Sequence, residues 1–125
     1  MPILNWMIGG EAGYGLFTTG LVFSKCMARG GYHTFDYKEY PSLIRGGHQS
    51  YQIAVSEEEI FSQYKELDIL VALDELTIEL HQKNLIKGGA LIYDPKKIPD
   101  PSIIKRKDIL VIPVPLEKTS REISG

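Results

Sequence analysis

Ile3-Leu4-Asn5-Trp6-Met7-Ile8-Gly9-Gly10-Glu11-Ala12-Gly13-Tyr14-Gly15-Leu16-Phe17-Thr18-Thr19-Gly20-Leu21-Val22-Phe23 reads, in that order, as a strand, a glycine-rich turn and a helix. Residues 3–8 form an apolar run broken only by Asn5, the pattern of a strand covered on both faces. The glycines tolerate unusual backbone angles and leave no Cβ in the way of a ligand. A helix that starts directly after such a turn aims its free N–H groups and the positive end of its dipole at the turn, which suits an anion such as a phosphate.

The helix is expected over residues 16–29, with apolar and small residues stepping by three and four, and Gly30-Gly31 as its C-cap pair. Tyr32 to Tyr37 is aromatic and β-branched and predicts a second strand, so that the first helix makes a right-handed parallel crossover between two strands. Gln49 to Val55 alternates around Tyr51 and Ile53, a strand with one face buried. Ser56 followed by Glu57-Glu58-Glu59 predicts an N-capped short helix to about Tyr64. Ile69 to Leu73 is a buried strand; a helix from about Leu76 to Leu85 follows, with Gly88-Gly89 as its stop. Ala90 to Tyr93 is the next strand, Lys96 to Lys107 a loop or linker, and Ile109 to Val114 a last strand that Pro113 sends to an edge. The fold class is α/β: a three-layer, Rossmann-like domain with a mainly parallel sheet, to which the return near residues 45–55 adds an antiparallel element.

At 125 residues, 43% hydrophobic and 24% charged, the chain has the size and composition of one globular domain. A net charge of -2 gives no basic excess for nucleic acid. The single cysteine, Cys26, makes no internal disulfide; inside an apolar helical pattern it reads as a buried structural thiol, and one thiol is too few for an iron–sulfur cluster. The N-terminus lacks the basic leader of a signal peptide, and no apolar run is long enough to cross a bilayer, so a cytoplasmic location is expected. The segment from Leu116 to Gly125 begins a helix and stops, as a fragment of a longer polypeptide would.

Two constellations carry chemistry. In Gly10-Glu11-Ala12-Gly13-Tyr14-Gly15 the glycine spacing is the reverse of the dinucleotide fingerprint Gly-x-Gly-x-x-Gly, although Asp36, placed at the end of the second strand, matches the ribose-binding acid of that fingerprint. The glycines alone fit a phosphate site and a ligand-free tight turn equally well. In Glu39-Tyr40-Pro41-Ser42-Leu43-Ile44-Arg45-Gly46-Gly47-His48, Pro41 stiffens a loop, and Arg45 offers a planar, permanently charged fork for phosphate or carboxylate. His48 reads as a strand-initial surface residue, His33 and His81 as ordinary, and Lys96-Lys97 and Lys105-Arg106-Lys107 as solvated loop faces. Both constellations leave the C-terminal ends of their strands, the rim where open α/β sheets bind ligands. No nucleophile–base pair, paired carboxylates or metal-ligand spacing occurs, so no catalytic residue and no metal ligand is assigned.

Taken together, Ile8 to Gly15 and the Tyr40-Pro41-Ser42-Leu43-Ile44-Arg45-Gly46-Gly47-His48 loop resemble the gamma domain of the 2-oxoacid:ferredoxin oxidoreductases, the family of the pyruvate and 2-oxoglutarate enzymes, most of all where that domain is fused ahead of the alpha domain. The similarity is clear over residues 3 to about 93 and runs on more weakly to the end; Tyr14 stands where the family usually has glutamine. The resemblance implies residues 1–125 to be a gamma-type domain, cut short at its C-terminal end, of an oligomeric enzyme that oxidatively decarboxylates a 2-oxoacid. It implies thiamine diphosphate and iron–sulfur clusters on other domains, ferredoxin as electron acceptor, and alpha and beta domains as partners, with no membrane or nucleic acid. It implies coenzyme A recruitment here, with Gly10, Gly13 and Gly15 approaching the ligand or a partner and Arg45, Gly46 and Gly47 lining the adjoining loop. A ligand-free assembly module and a free-standing dinucleotide-binding domain are the competing readings.

Overall fold

In the computed structural model, residues 3–11, 16–39, 48–60 and 66–115 are described. Strand β1 (Leu4–Glu11) leads to helix α1 (Leu16–Arg29), and β2 (His33–Glu39) and β3 (His48–Ser56) follow. Next come β4 (Leu67–Ala72), α2 (Glu75–His81) with a short 3-10 turn at Gln82–Asn84, β5 (Leu85–Tyr93), a second 3-10 turn at Pro101–Ile103, and β6 (Leu110–Pro113). All six strands form one sheet in the order β2-β3-β1-β4-β5-β6. Pairings β1–β4, β4–β5 and β5–β6 are parallel, as the buried apolar runs predict.

β3 is the antiparallel element, and it lies between β1 and β2, antiparallel to both. β1 and β2 therefore point the same way, as the crossover through α1 requires, but they are not neighbours. Residues 40–47 are fewer than the dozen or so that a parallel crossover needs, so β3 must return antiparallel to β2. Its alternating face then fills the place beside β1.

Side chains on the sheet divide by parity into two cores. Trp6, Ile8, Tyr51, Ile53 and Val55 face α1, which meets them with Phe23 and Met27; the Trp6 and Phe23 rings pack edge-on at 4.7 Å. Met7, Leu70, Ala72, Leu91 and Tyr93 face the opposite side and bury Ile78 of α2 and Ile98. One helix on each face gives the three layers. Asn5, the lone polar residue of the first apolar run, is buried but satisfied. Its backbone N–H donates to Asp68 Oδ2 (2.8 Å), its Nδ2 to the Glu66 carbonyl (2.7 Å), and its Oδ1 accepts from Gln52 Nε2 (3.0 Å). Among the described residues no helix is long and apolar enough to cross a membrane.

Several expectations change. Ser56 Oγ does accept from Glu58 N–H (3.1 Å), but Ser56 still pairs with His33 in the ladder, residues 57–58 form a bend and residues 59–60 are not helical; residues 61–64 lie outside the described part. The second helix ends at His81, and Gly88-Gly89 belong to β5, not to a helix stop. The register jumps there from Leu67↔Leu85 to Ile69↔Ala90, and Gly88 takes φ +82 while its N–H donates to the Asp108 carbonyl at 2.8 Å. Cys26 is exposed: Phe23 and Met27 set the buried stripe of α1, and residue 26 falls beside it. Arg106 is a structural brace. Its guanidinium donates to the carbonyls of Gln82 (3.1 Å) and Leu85 (2.8 Å) and grips Asp108 through two bonds (2.6 and 2.7 Å).

Candidate functional site

The C-terminal ends of β1, β2, β4 and β5 share one rim of the sheet, because β3 alone runs the other way. At this rim Glu11, the last residue of β1, stands opposite His48, the first of β3, and Glu39, the last of β2, stands opposite Ser50. The residues that bound both sequence constellations therefore meet at adjoining strand ends. Of the assigned residues, Gly10 sits in β1 opposite Gln49, buried one pair short of the strand's end. Gly13, Gly15, Arg45, Gly46 and Gly47 lie outside the described residues, as does Tyr14.

Acidic residues stand on both sides of the rim. On the β4–β5 side the acids serve their own backbone. Asp74 caps α2, its Oδ1 accepting from Thr77 N–H (3.0 Å) and Thr77 Oγ1 (2.7 Å), and Glu75 follows in the first turn. Asp94 Oδ1 accepts from Lys96 N–H (2.9 Å), while its carbonyl takes the Lys97 and Ile98 N–H groups (both 3.0 Å). On the β1–β3 side α1 begins with no acidic residue in its first turn, while the acids Glu11 and Glu39 end β1 and β2.

Below the rim a polar cluster ties α1 to the sheet. Ser24 Oγ donates to Asp36 Oδ1 (2.8 Å) and lies 3.1 Å from Thr34 Oγ1; Tyr51 donates its hydroxyl to Asp36 Oδ2 (2.5 Å). Lys38 Nζ stands 5.4 Å from the centre of the Tyr51 ring. Tyr51 is 0% exposed, and burial first, then the Asp36 bond and charge, hold its hydroxyl well above the ordinary phenol range. Asp36 is thus not at the end of its strand, which runs on to Glu39, and both its oxygens are engaged within the chain. The sequence signals for the cluster were an acid in an aromatic, β-branched strand and a serine on the buried stripe of the helix; only their convergence was missing.

A groove of 620 Å³ lies at the opposite end of the sheet, lined by Leu4, Met27, Tyr32, Val55 and Asp68 among others. Around it and on α1, Leu4 (40%), Val22 (55%) and Tyr32 (44%) leave apolar surface exposed. A smaller cavity of 290 Å³ lies on the α2 face, between Tyr37, Glu39, Ser50, Gln52 and His81. Among the described residues no three His, Cys, Asp or Glu side chains converge as a metal site would require.

Comparison with known proteins points one way. Residues 5–125 match the family model described as pyruvate ferredoxin/flavodoxin oxidoreductase. A 2-oxoacid:ferredoxin oxidoreductase alpha subunit from Sulfolobus is 36% identical over 78 residues, 62% of this chain and 12% of that subunit. The structure of a 2-oxoglutarate:ferredoxin oxidoreductase from Magnetococcus marinus, solved with 2-oxoglutarate, coenzyme A and succinyl-CoA bound, superposes with a TM-score of 0.86 at 26% identity, over 100% of this chain and 22% of that one. The gamma subunit of a keto/oxoacid ferredoxin oxidoreductase from Geobacter sulfurreducens has the same fold, with a TM-score of 0.78 at 18% identity, over 98% of this chain and 67% of that one. The chain thus spans 12% of that alpha subunit and 67% of that gamma subunit.

Proposed function

This chain belongs to the pyruvate ferredoxin/flavodoxin oxidoreductase family, and from that premise we propose that it is the gamma-type domain of a 2-oxoacid:ferredoxin oxidoreductase whose sheet rim receives coenzyme A. The observation that carries the reading is the pairing of Glu11 with His48, which brings the bounds of the glycine turn and of the arginine loop to adjoining strand ends, beside a helix start free of acids. The coenzyme carries phosphates, and the chemistry of this rim fits them. The start of α1 supplies N–H donors, and Gly10, one pair before the end of β1, adds no side chain there. Arg45, from the loop between β2 and β3, supplies a bidentate cation. The coenzyme A in the Magnetococcus enzyme supports the same ligand class.

Thiamine diphosphate and iron–sulfur clusters, on other parts of the assembly, supply carbanion chemistry and electron transfer to ferredoxin when bound; the role of this domain is to bind and orient. Its partners are the alpha and beta parts of the enzyme. Titrating coenzyme A calorimetrically into the intact complex tests the reading. Arg45→Ala should weaken binding about tenfold or more, the worth of one charge-assisted hydrogen bond, and unchanged affinity would remove Arg45 from the site.

A second reading, a packing module without ligand, is favoured by the exposed apolar residues Leu4, Val22 and Tyr32 and the groove at the end away from the rim. A structure of the complex that buries residues 40–48 under another chain, with no space left at the rim, would establish it. The dinucleotide reading loses its main support, because Asp36 is engaged by Ser24 and Tyr51.

A further inference from the structure

The Ser24–Asp36–Tyr51 cluster joins the three elements whose ends frame the rim beside β1: α1, which starts at Leu16; β2, which ends at Glu39; and β3, which starts at His48. β2 is an edge strand, paired on one side only. Among the described residues α1 also meets the sheet through Phe23 and Met27, apolar contacts that chiefly oppose separation. Two hydrogen bonds converging on one carboxylate do set direction: the ladder already fixes β3 against β2, and the Ser24 bond is lost when α1 slides along that pair. We propose that Asp36 is a positioning residue, which from the edge strand holds the rim-facing starts of α1 and β3 in fixed relation.

The consequence for coenzyme affinity rests on the reading of the rim as the coenzyme A site; the positioning itself does not. Tyr51 suits the part, since its hydroxyl stays protonated, and therefore a donor, throughout the neutral range. The role differs from that of a ribose-binding acid: Asp36 touches no ligand and acts through the placement of α1. Displacements on the order of an ångström at a binding element are enough to weaken a ligand or a reaction strongly.

The full enzyme complex carrying Asp36→Ala or Asp36→Asn distinguishes the outcomes through hydrogen–deuterium exchange and steady-state kinetics. Asp36→Ala should raise exchange at the amides of residues 20–24, which bond the carbonyls of the first turn of α1, and of residues 48–51, and raise KM for coenzyme A about fivefold with kcat little changed. Asp36→Asn, with an oxygen for Ser24 and an amide to meet the Tyr51 oxygen, should restore most of both. Unchanged exchange in both segments overturns the proposal, as does exchange raised evenly over the whole domain with a lowered kcat and an unchanged KM. Exchange raised only in the two segments with an unchanged KM upholds the positioning role and counts instead against the rim as the coenzyme site.

Discussion

Tyr51 and Asp36 form a hydrogen bond whose partners live in different surroundings, one fully buried and the other exposed on the edge strand. The folded-state pKa of Tyr51 is raised above the ordinary phenol value of 10.0, so folding favours the protonated form. That contribution is whole below pH about 10 and is lost as the pH rises further, at up to about 1.4 kcal/mol per pH unit. In urea unfolding, the parent protein should lose stability above pH about 10 more steeply than Tyr51→Phe, and parallel curves for the two would show that Tyr51 is not the titrating group. At neutral pH the same substitution should cost only about 1 kcal/mol, because exposed Asp36 exchanges its lost donor for water. Asp36 is also where residue-level reading went astray. Its place in an aromatic, β-branched strand was legible, but its partners lie 12 and 15 residues away, and no spacing rule reports them.

Two glycine pairs serve opposite purposes at the scale of the element. Gly30-Gly31 closes α1 as read from the sequence. Gly31 takes φ +93, its N–H donates to the Ala28 carbonyl, and Tyr32 N–H reaches back to Met27, the two bonds of a Schellman motif (both 3.1 Å). Gly31→Ala should therefore lose about 1 kcal/mol, while Gly30→Ala, whose Cβ would meet its nearest atom at 3.4 Å, should change stability by less than about 0.5 kcal/mol. Equal losses at the two sites in thermal unfolding would refute the cap assignment. Gly88-Gly89 carries the same letters, but the helix before it has already ended at His81. Gln82 sends its side chain to the Ile103 carbonyl (3.0 Å) and the Lys105 N–H (2.8 Å), and Leu85 opens a strand. A Cβ on Gly89 would lie 3.0 Å from the Asp68 and Ile86 carbonyl oxygens, so this glycine answers to a neighbouring strand. Turn chemistry read along the chain cannot separate the two cases, because the difference lies in what stands across the ladder.

Over the whole molecule, the long connection between β5 and β6 behaves as part of the core. Ile98 is 0% exposed against Leu70 and Tyr93, and Arg106 bridges to the 3-10 turn and the start of β5. Ile98→Ala should lower unfolding free energy by about 2–5 kcal/mol, measured by urea denaturation; a loss below about 0.5 kcal/mol would make this segment a peripheral linker instead. The sequence by itself determined the α/β class, the strands, the first helix with its C-cap and the rim to which the two constellations lead. Each of these follows from periodicity, end signals and strand direction, which are set by near neighbours in the chain. Only the tertiary structure decided that β3 enters between β1 and β2, that Gly88-Gly89 forms an irregularity in a strand, and that Asp36 joins a helix to the sheet. Those outcomes depend on which faces must be buried together and on partners far apart in the chain, where packing and hydrogen-bond geometry outweigh local preference.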